Sequence, residues 1–177
     1  MISKSFWYNN PLDIGKNLLW KKISKQSLEW FINEVEIYKG NDDEASHAYK
    51  WKTSRNWPMF DEWWIMYVYL IYGIHFCFNI SFWGTTWAVL IRSIKPVNWI
   101  EIMKTKRNKS LTKNLADWPW KFTQAFGITR EYNGLSLFNP NNDIIIEDVW
   151  FNNFDFFQTE RVGITKAKDK KRRFVMK

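Results

Sequence analysis

Apolar and polar positions alternate with period two in several short runs of this chain, and the clearest is Tyr67-Val68-Tyr69-Leu70-Ile71-Tyr72-Gly73-Ile74-His75-Phe76-Cys77-Phe78-Asn79. Tyr67, Tyr69 and Ile71 fall on one side of the expected strand, Val68, Leu70 and Tyr72 on the other. Gly73 offers a bend before a second apolar run, so the pattern predicts a β-hairpin with aromatic side chains near its turn. Such a run could simply be the central sheet of a small protein, or its polar tips could serve a site. The apolar stretch from Trp63 to Trp83 is long enough to cross a membrane. Gly73, His75 and Asn79 in its middle, with its β-branched and aromatic content, favour sheet instead.

The same reading places other elements. Asp13 is expected to cap a turn leading through Ile14, Leu18 and Leu19. Phe31 to Tyr38 alternates as a strand that ends at Gly40, and Asp42-Asp43-Glu44 could open a short helix through His47. Trp87 to Ile94 predicts a strand closed by Pro96. Ile100 to Met103 and Lys121 to Phe126, the latter with Pro119 before it, predict helices, and Ile144 to Val149 and Arg161 to Ile164 predict short strands. No regular βαβ rhythm, internal repeat or low-complexity linker is present. The expected class is therefore α+β, one compact domain over residues 1–177 with a curved, mainly antiparallel sheet, a protruding hairpin and flanking helices.

Composition narrows this further. A chain of 177 residues with 46% apolar content can bury a core. The single Cys77 excludes an internal disulfide, and His47 and His75 give no metal-site spacing, so no metal or cofactor is expected. The first thirty residues lack a sustained apolar core after a basic start, which predicts no signal peptide and a cytoplasmic protein. The formal charge of +8 gathers in Lys95 to Lys113 and Arg161 to Lys177. The second cluster could be a solvated tail, but basic patches beside aromatic residues point to a polyanion, most directly nucleic acid.

Candidate chemistry is sparse. Glu36 sits inside the apolar strand Val35-Glu36-Ile37-Tyr38, where a carboxylate near aromatics can serve as a general base, and Glu34 would share its face. Taken alone, Glu36 and His47 are equally ordinary structural residues. No Ser-His-Asp spacing, GxGxxG or P-loop occurs.

Read in order, the segments carry more information. Leu18-Leu19, Val35-Glu36-Ile37-Tyr38, Ala45-Ser46-His47-Ala48, Thr53-Ser54-Arg55-Asn56, Met59-Phe60 and Tyr67 to Asn79 are followed by Ala88 to Pro96. Pro119 and Lys121, Ala125-Phe126-Gly127-Ile128, Arg161-Val162-Gly163-Ile164 and Arg173-Phe174 complete the set. This ordered set resembles the alkyladenine (3-methyladenine) DNA glycosylase family nearly end to end. The resemblance implies an enzyme that flips alkylated or deaminated purines from double-stranded DNA and hydrolyses the N-glycosidic bond, leaving an abasic site. It implies Glu36 as general base, Tyr38, His47 and Tyr69 as walls of the base pocket, and Asn79 as a screen against the guanine amine. It further implies Tyr72 as the intercalating side chain and Arg92 and Lys121 as nucleotide or phosphate contacts. A monofunctional, monomeric, nucleoid-associated enzyme that uses water and needs no membrane follows from the same likeness. A non-enzymatic basic nucleic-acid-binding module, an inactive homologue and a Trp- and Lys-anchored membrane-surface protein are the alternatives.

One departure is systematic. Thirteen tryptophans stand beside seven glycines, and Trp20, Trp30, Trp51, Trp64, Trp99, Trp118 and Trp120 fall where the family carries glycine, with Trp87 at a small-residue site. Bulky residues at turns with positive φ, and indoles at close-packing sites, are expected to strain and overpack. The expectation is that the source organism reads UGA as glycine and that the natural product carries glycine there. UGG codons at positions 20, 64, 99, 118 and 120 would refute it.

Overall fold

The computed structural model describes residues 2–61, 64–82, 84–96, 98, 100–110, 113–149 and 154–177. Two short helices, α1 (Lys4–Trp7) and α2 (Pro11–Asn17), precede β1 (Lys22–Lys25) and the long β2 (Leu28–Tyr38). After a loop with a 3-10 turn at Trp57–Phe60 come β3 (Met66–Ile71), β4 (His75–Ser81) and β5 (Ala88–Pro96). Helices α3 (Ile100–Arg107) and α4 (Pro119–Phe126) follow, then β6 (Ile144–Glu147), β7 (Phe156–Thr159) and β8 (Arg173–Met176). The strands form one antiparallel sheet in the order β3-β4-β5-β2-β1-β6, and β8 joins β2 to β7. The α+β class with a curved antiparallel sheet is as expected.

The organising event lies in β2. Leu28, Trp30 and Ile32 point into the main apolar core, and so do Val35 and Ile37. The inward positions change from even to odd because the register against β5 shifts between Ile32 and Glu34 and again between Glu34 and Val35. Side chains in a strand alternate strictly, so an inserted residue transfers every later side chain to the opposite face. Glu34, Glu36 and Tyr38 are thereby turned away from the core, onto the face where Tyr67, Asn79 and Leu90 also lie.

The hairpin forms as predicted, with β3 and β4 paired from Met66↔Ile80 to Ile71↔His75. Its turn has Tyr72 at φ 50 and Gly73 at φ 73, closed by the Ile74 N–H donating to the Ile71 carbonyl at 3.2 Å. Two successive left-handed residues match the right-handed twist of the flanking strands.

Other expectations are corrected. The helix cap is Asn10, whose side chain accepts from the Leu12 N–H, whereas Asp13 lies inside the first turn and pairs with Lys16. The 42–47 segment forms turns rather than a helix, because the Asp43 carboxylate accepts from the Lys39 and Ala45 amides and draws the loop around itself. Arg161 to Ile164 is not a strand. Gly163 at φ 78 bends it, and β8 occupies the β2 edge at Glu34 to Glu36. β6 ends at Glu147, short of Val149. The alternation pattern does not mark β1, β7 or β8.

The tryptophans divide. Trp20 has φ 65, a left-handed backbone that disfavours any side chain other than glycine. Trp118 is extended at φ −143 and carries no such strain, Trp30 is wholly buried against Phe126 at 4.6 Å, and Trp99 lies outside the described residues. The Trp30 indole N–H has no acceptor among the described residues. Trp20→Gly and Trp20→Ala remove the same indole and differ only in backbone preference. In urea titrations the glycine variant should be the more stable of the two by about 1 kcal/mol; equal midpoints would show that position 20 does not need a left-handed residue.

Candidate active site

A row of paired positions crosses five strands: Tyr67 on β3, Asn79 on β4, Leu90 on β5, Glu36 on β2 and Arg173 on β8. Above it opens a cavity of about 380 Å³, lined among others by Tyr38, His47, Tyr69, Tyr72, Asn79 and Arg92. Glu36 is fully buried, and its partners Tyr38, Arg92 and Val162 all line the cavity. The structure thus gathers every residue singled out from the sequence except Lys121, which pairs with Asp117 at 2.7 Å and lines a neighbouring cavity.

The Glu36 carboxylate is well furnished. Its Oε2 accepts from the Tyr38 hydroxyl at 2.8 Å and its Oε1 from the Val162 amide at 2.7 Å. The Arg92 Nη1 stands 3.3 Å from Oε1, while the Arg92 Nε donates to Glu34 at 2.7 Å. Arg173 adds a second donor to Glu34 at 2.6 Å. Burial raises the Glu36 pKa above 4.5, and the Arg92 charge and the two hydrogen bonds offset this only in part. Burial would lower the Arg92 pKa, but Glu36 and Glu34 together raise it. Burial, then the neighbouring Glu36 charge, holds the Tyr38 phenol protonated, as a donor.

The donor amide of Val162 is positioned by an ion pair with no signal in the local sequence. Arg161 and Asp43 are completely buried and bound in two-pronged fashion, at 2.5 and 2.8 Å. Arg161 also donates to the carbonyls of Ile37 and Ala167, and its guanidinium lies 4.7 Å over the Tyr38 ring. Burial works to raise the Asp43 pKa, but Arg161 and the Lys39 and Ala45 amides more than offset it, leaving it below 3.8. The acidic run 42–44 and the basic C-terminal segment are each conspicuous separately; nothing local shows that they meet.

The aromatic part of the pocket wall is uncharged. The His47 Nδ1 and the Tyr67 hydroxyl share a hydrogen bond of 2.9 Å, and the His47 ring stands edge-on to Tyr69 at 4.7 Å. Burial, with the Arg55 charge, lowers the His47 pKa to about 4, so the imidazole is neutral at physiological pH. Asn79 is buried and donates to the Tyr67 carbonyl at 3.1 Å, which fixes its amide. Burial pushes the Cys77 thiol up to about 11, which keeps it protonated. Tyr72, by contrast, is 86% exposed at the hairpin tip. A tyrosine held both left-handed and in solvent is strained without a packing return, a pattern found where function demands it.

A carboxylate is thus sealed behind an aromatic-walled cavity, beside a projecting hairpin that carries an exposed tyrosine. The chain matches the Methylpurine-DNA glycosylase (MPG) family over residues 5–177. A relative from Francisella tularensis subsp. tularensis (strain FSC 198) is 37% identical over 174 residues, covering 96% of this chain and 82% of its own length. One from Koribacter versatilis (strain Ellin345) is 33% identical, with 99% and 89% covered, and one from Chlorobium phaeobacteroides is 37% identical, with 95% and 89% covered. Each is named "Putative 3-methyladenine DNA glycosylase". The chain belongs to the methylpurine-DNA glycosylase family.

Two stability predictions follow from the charges. A raised Glu36 pKa means the folded state holds that proton more tightly than the unfolded chain. Ionising Glu36 therefore costs stability as pH rises from 4.5 to the raised value, and the cost is complete above it. The stability of Glu36→Gln relative to the parent should accordingly improve across that interval and then level off in denaturation curves; a pH-independent difference would contradict the raised value. Asp43→Asn leaves Arg161 buried without its carboxylate and should cost about 3–5 kcal/mol at neutral pH. The Asp43 contribution is present above 3.8 and lost as pH falls through its lowered value, so the gap should close in acid.

Proposed function

We propose that this protein is a monofunctional DNA glycosylase that flips an alkylated or deaminated purine out of duplex DNA and hydrolyses its N-glycosidic bond with an activated water. The observation that carries this reading is the buried Glu36, hydrogen-bonded to Tyr38 and Val162 beneath an aromatic cavity next to the exposed Tyr72. Tyr72 fills the gap in the base stack, offsetting part of an unstacking cost of a few kcal/mol per step. Tyr38, His47 and Tyr69 surround the flipped base, and their π-faces favour a cationic or electron-poor purine over an ordinary one. The immobilised Asn79 amide crowds the position of a guanine amine.

Glu36 takes a proton from water as the water attacks the anomeric carbon, and its charge stabilises the developing oxocarbenium ion. An ionised carboxylate has about four lone-pair sites, so the Tyr38 and Val162 bonds leave acceptor capacity for the water. Arg92 keeps Glu36 ionisable and faces the flipped nucleotide from the cavity wall. Lys166 is at the rim, 3.8 Å from Glu44, and takes no covalent part in this scheme.

Incubation with alkylated duplex should release free purine with the strand intact and no borohydride-trapped adduct. Glu36→Gln should lower the single-turnover rate by about 10²–10⁴-fold while binding duplex normally. Release at the parent rate by that variant would overturn the assignment of the base, and binding without release by the parent would leave a non-enzymatic module.

A further inference from the structure

A second cavity, of about 310 Å³, lies between the end of α3 and the start of α4 and is lined by Arg107, Lys109, Lys113, Trp120 and Lys121 together with Ser110 and Asn114. Four of these residues are cationic and none is acidic. Trp120 lines this cavity and the base cavity alike, so its indole is the partition between them.

The informative group is Arg107, which is only 5% exposed. Its hydrogen-bond partners are neutral: the Leu115 carbonyl at 3.2 Å and the Gln124 side chain at 2.5 Å. Among the described residues it forms no ion pair, although Asp117 acts on it from farther away. Its guanidinium lies 4.7 Å over the Trp120 ring, which is also stacked on His75 at 4.1 Å and has the Lys121 ammonium 5.8 Å from its centre. Other buried arginines here, Arg92 and Arg161, each meet a carboxylate. A guanidinium that is desolvated without an anion is held at a cost, and an anion arriving from outside would relieve it. The start of α4 adds to the attraction, because the N-cap residue Trp118 makes no side-chain bond to the first-turn amides.

We propose that this cavity is a dedicated phosphodiester subsite, with Arg107 as its buried anchor and Lys109 and Lys113 closing over the phosphate. It seats one backbone phosphate of the duplex adjacent to the flipped nucleotide, on the far side of Trp120. This rests on the duplex-repair reading above and adds to it a fixed point of register. The His75–Trp120–Arg107 stack ties the subsite to β4, directly after the hairpin turn. Gripping that phosphate therefore holds the strand against the structural unit that carries Tyr72.

The test measures binding of an undamaged duplex as a function of salt for the parent, Lys109→Ala/Lys113→Ala and Arg107→Gln. The slope of log K against log salt should become shallower by about 0.9 for each phosphate that is no longer neutralised. A scan of single neutral methylphosphonate linkages should reveal one linkage whose substitution weakens the parent about tenfold and has no further effect on Arg107→Gln. Single-turnover excision of alkylated duplex by the parent, measured alongside, reports on the enzymatic reading separately from the subsite. Unaltered slope and purely additive linkage effects would overturn the subsite while normal excision left the enzymatic reading standing. Altered slope with no excision by the parent would do the reverse, and absence of duplex binding by the parent would overturn both.

Discussion

The structure depends on a change of face within one strand. From Leu28 to Ile32 the even positions of β2 enter the core, and from Val35 onward the odd positions do. A regular strand could keep its apolar side inward only by burying Glu34 and Glu36 in hydrocarbon or by turning Val35 and Ile37 outward. The register shift against β5 resolves that conflict. It leaves two carboxylates and a phenol on a face that is itself covered by the C-terminal segment. The carboxylates are buried but surrounded by polar partners.

Covering two carboxylates demands compensation, and the fold provides it from distant parts of the chain. Arg92 on β5 and Arg173 on β8 converge on Glu34, and Arg92 reaches Glu36 as well. The Asp43–Arg161 pair brings the Val162 amide to the same carboxylate. Such buried pairs contribute little net stability over an apolar packing, because desolvation consumes most of the Coulomb gain. Their value here is geometric. Each fixes one direction around Glu36, and the compensation is left incomplete, so the carboxyl holds its proton more firmly than a free glutamate while still having a cation beside it.

Much of this was legible in the residues. The alternation of Tyr67 to Ile71 and the glycine at position 73 specified the hairpin, because both signals act over a few residues. The family likeness assembled Tyr38, His47, Tyr69, Asn79 and Arg92, which the fold brings to one cavity, and Glu36, which it buries against that cavity's wall. The change of parity in β2 is also present in the sequence, as Leu28, Trp30 and Ile32 followed by Val35 and Ile37, but it shows only when the strand is followed from Leu28 rather than from Phe31. Asp43 and Arg161 could not be paired from local pattern, since 118 residues separate them and each lies in an irregular loop. The four-residue strands β1, β7 and β8 exist by pairing with longer neighbours, so their own sequences carried too little signal. Arg107 was hidden for a similar reason: in a basic run it looks solvated, and only packing against α4 removes it from water.

The central claim is that Glu36, turned outward by the β2 shift and held by Arg92, Tyr38 and the Val162 amide, is the base that sets the rate. The most direct measurement is the titration of its side-chain carboxyl by carbon-13 NMR, set beside the acid limb of single-turnover base excision. Both should show one midpoint above 4.5, with excision lost as pH falls through it and the carboxyl takes its proton. A carboxyl that titrates at or below 4.5, or an acid limb that does not coincide with it, would contradict the account.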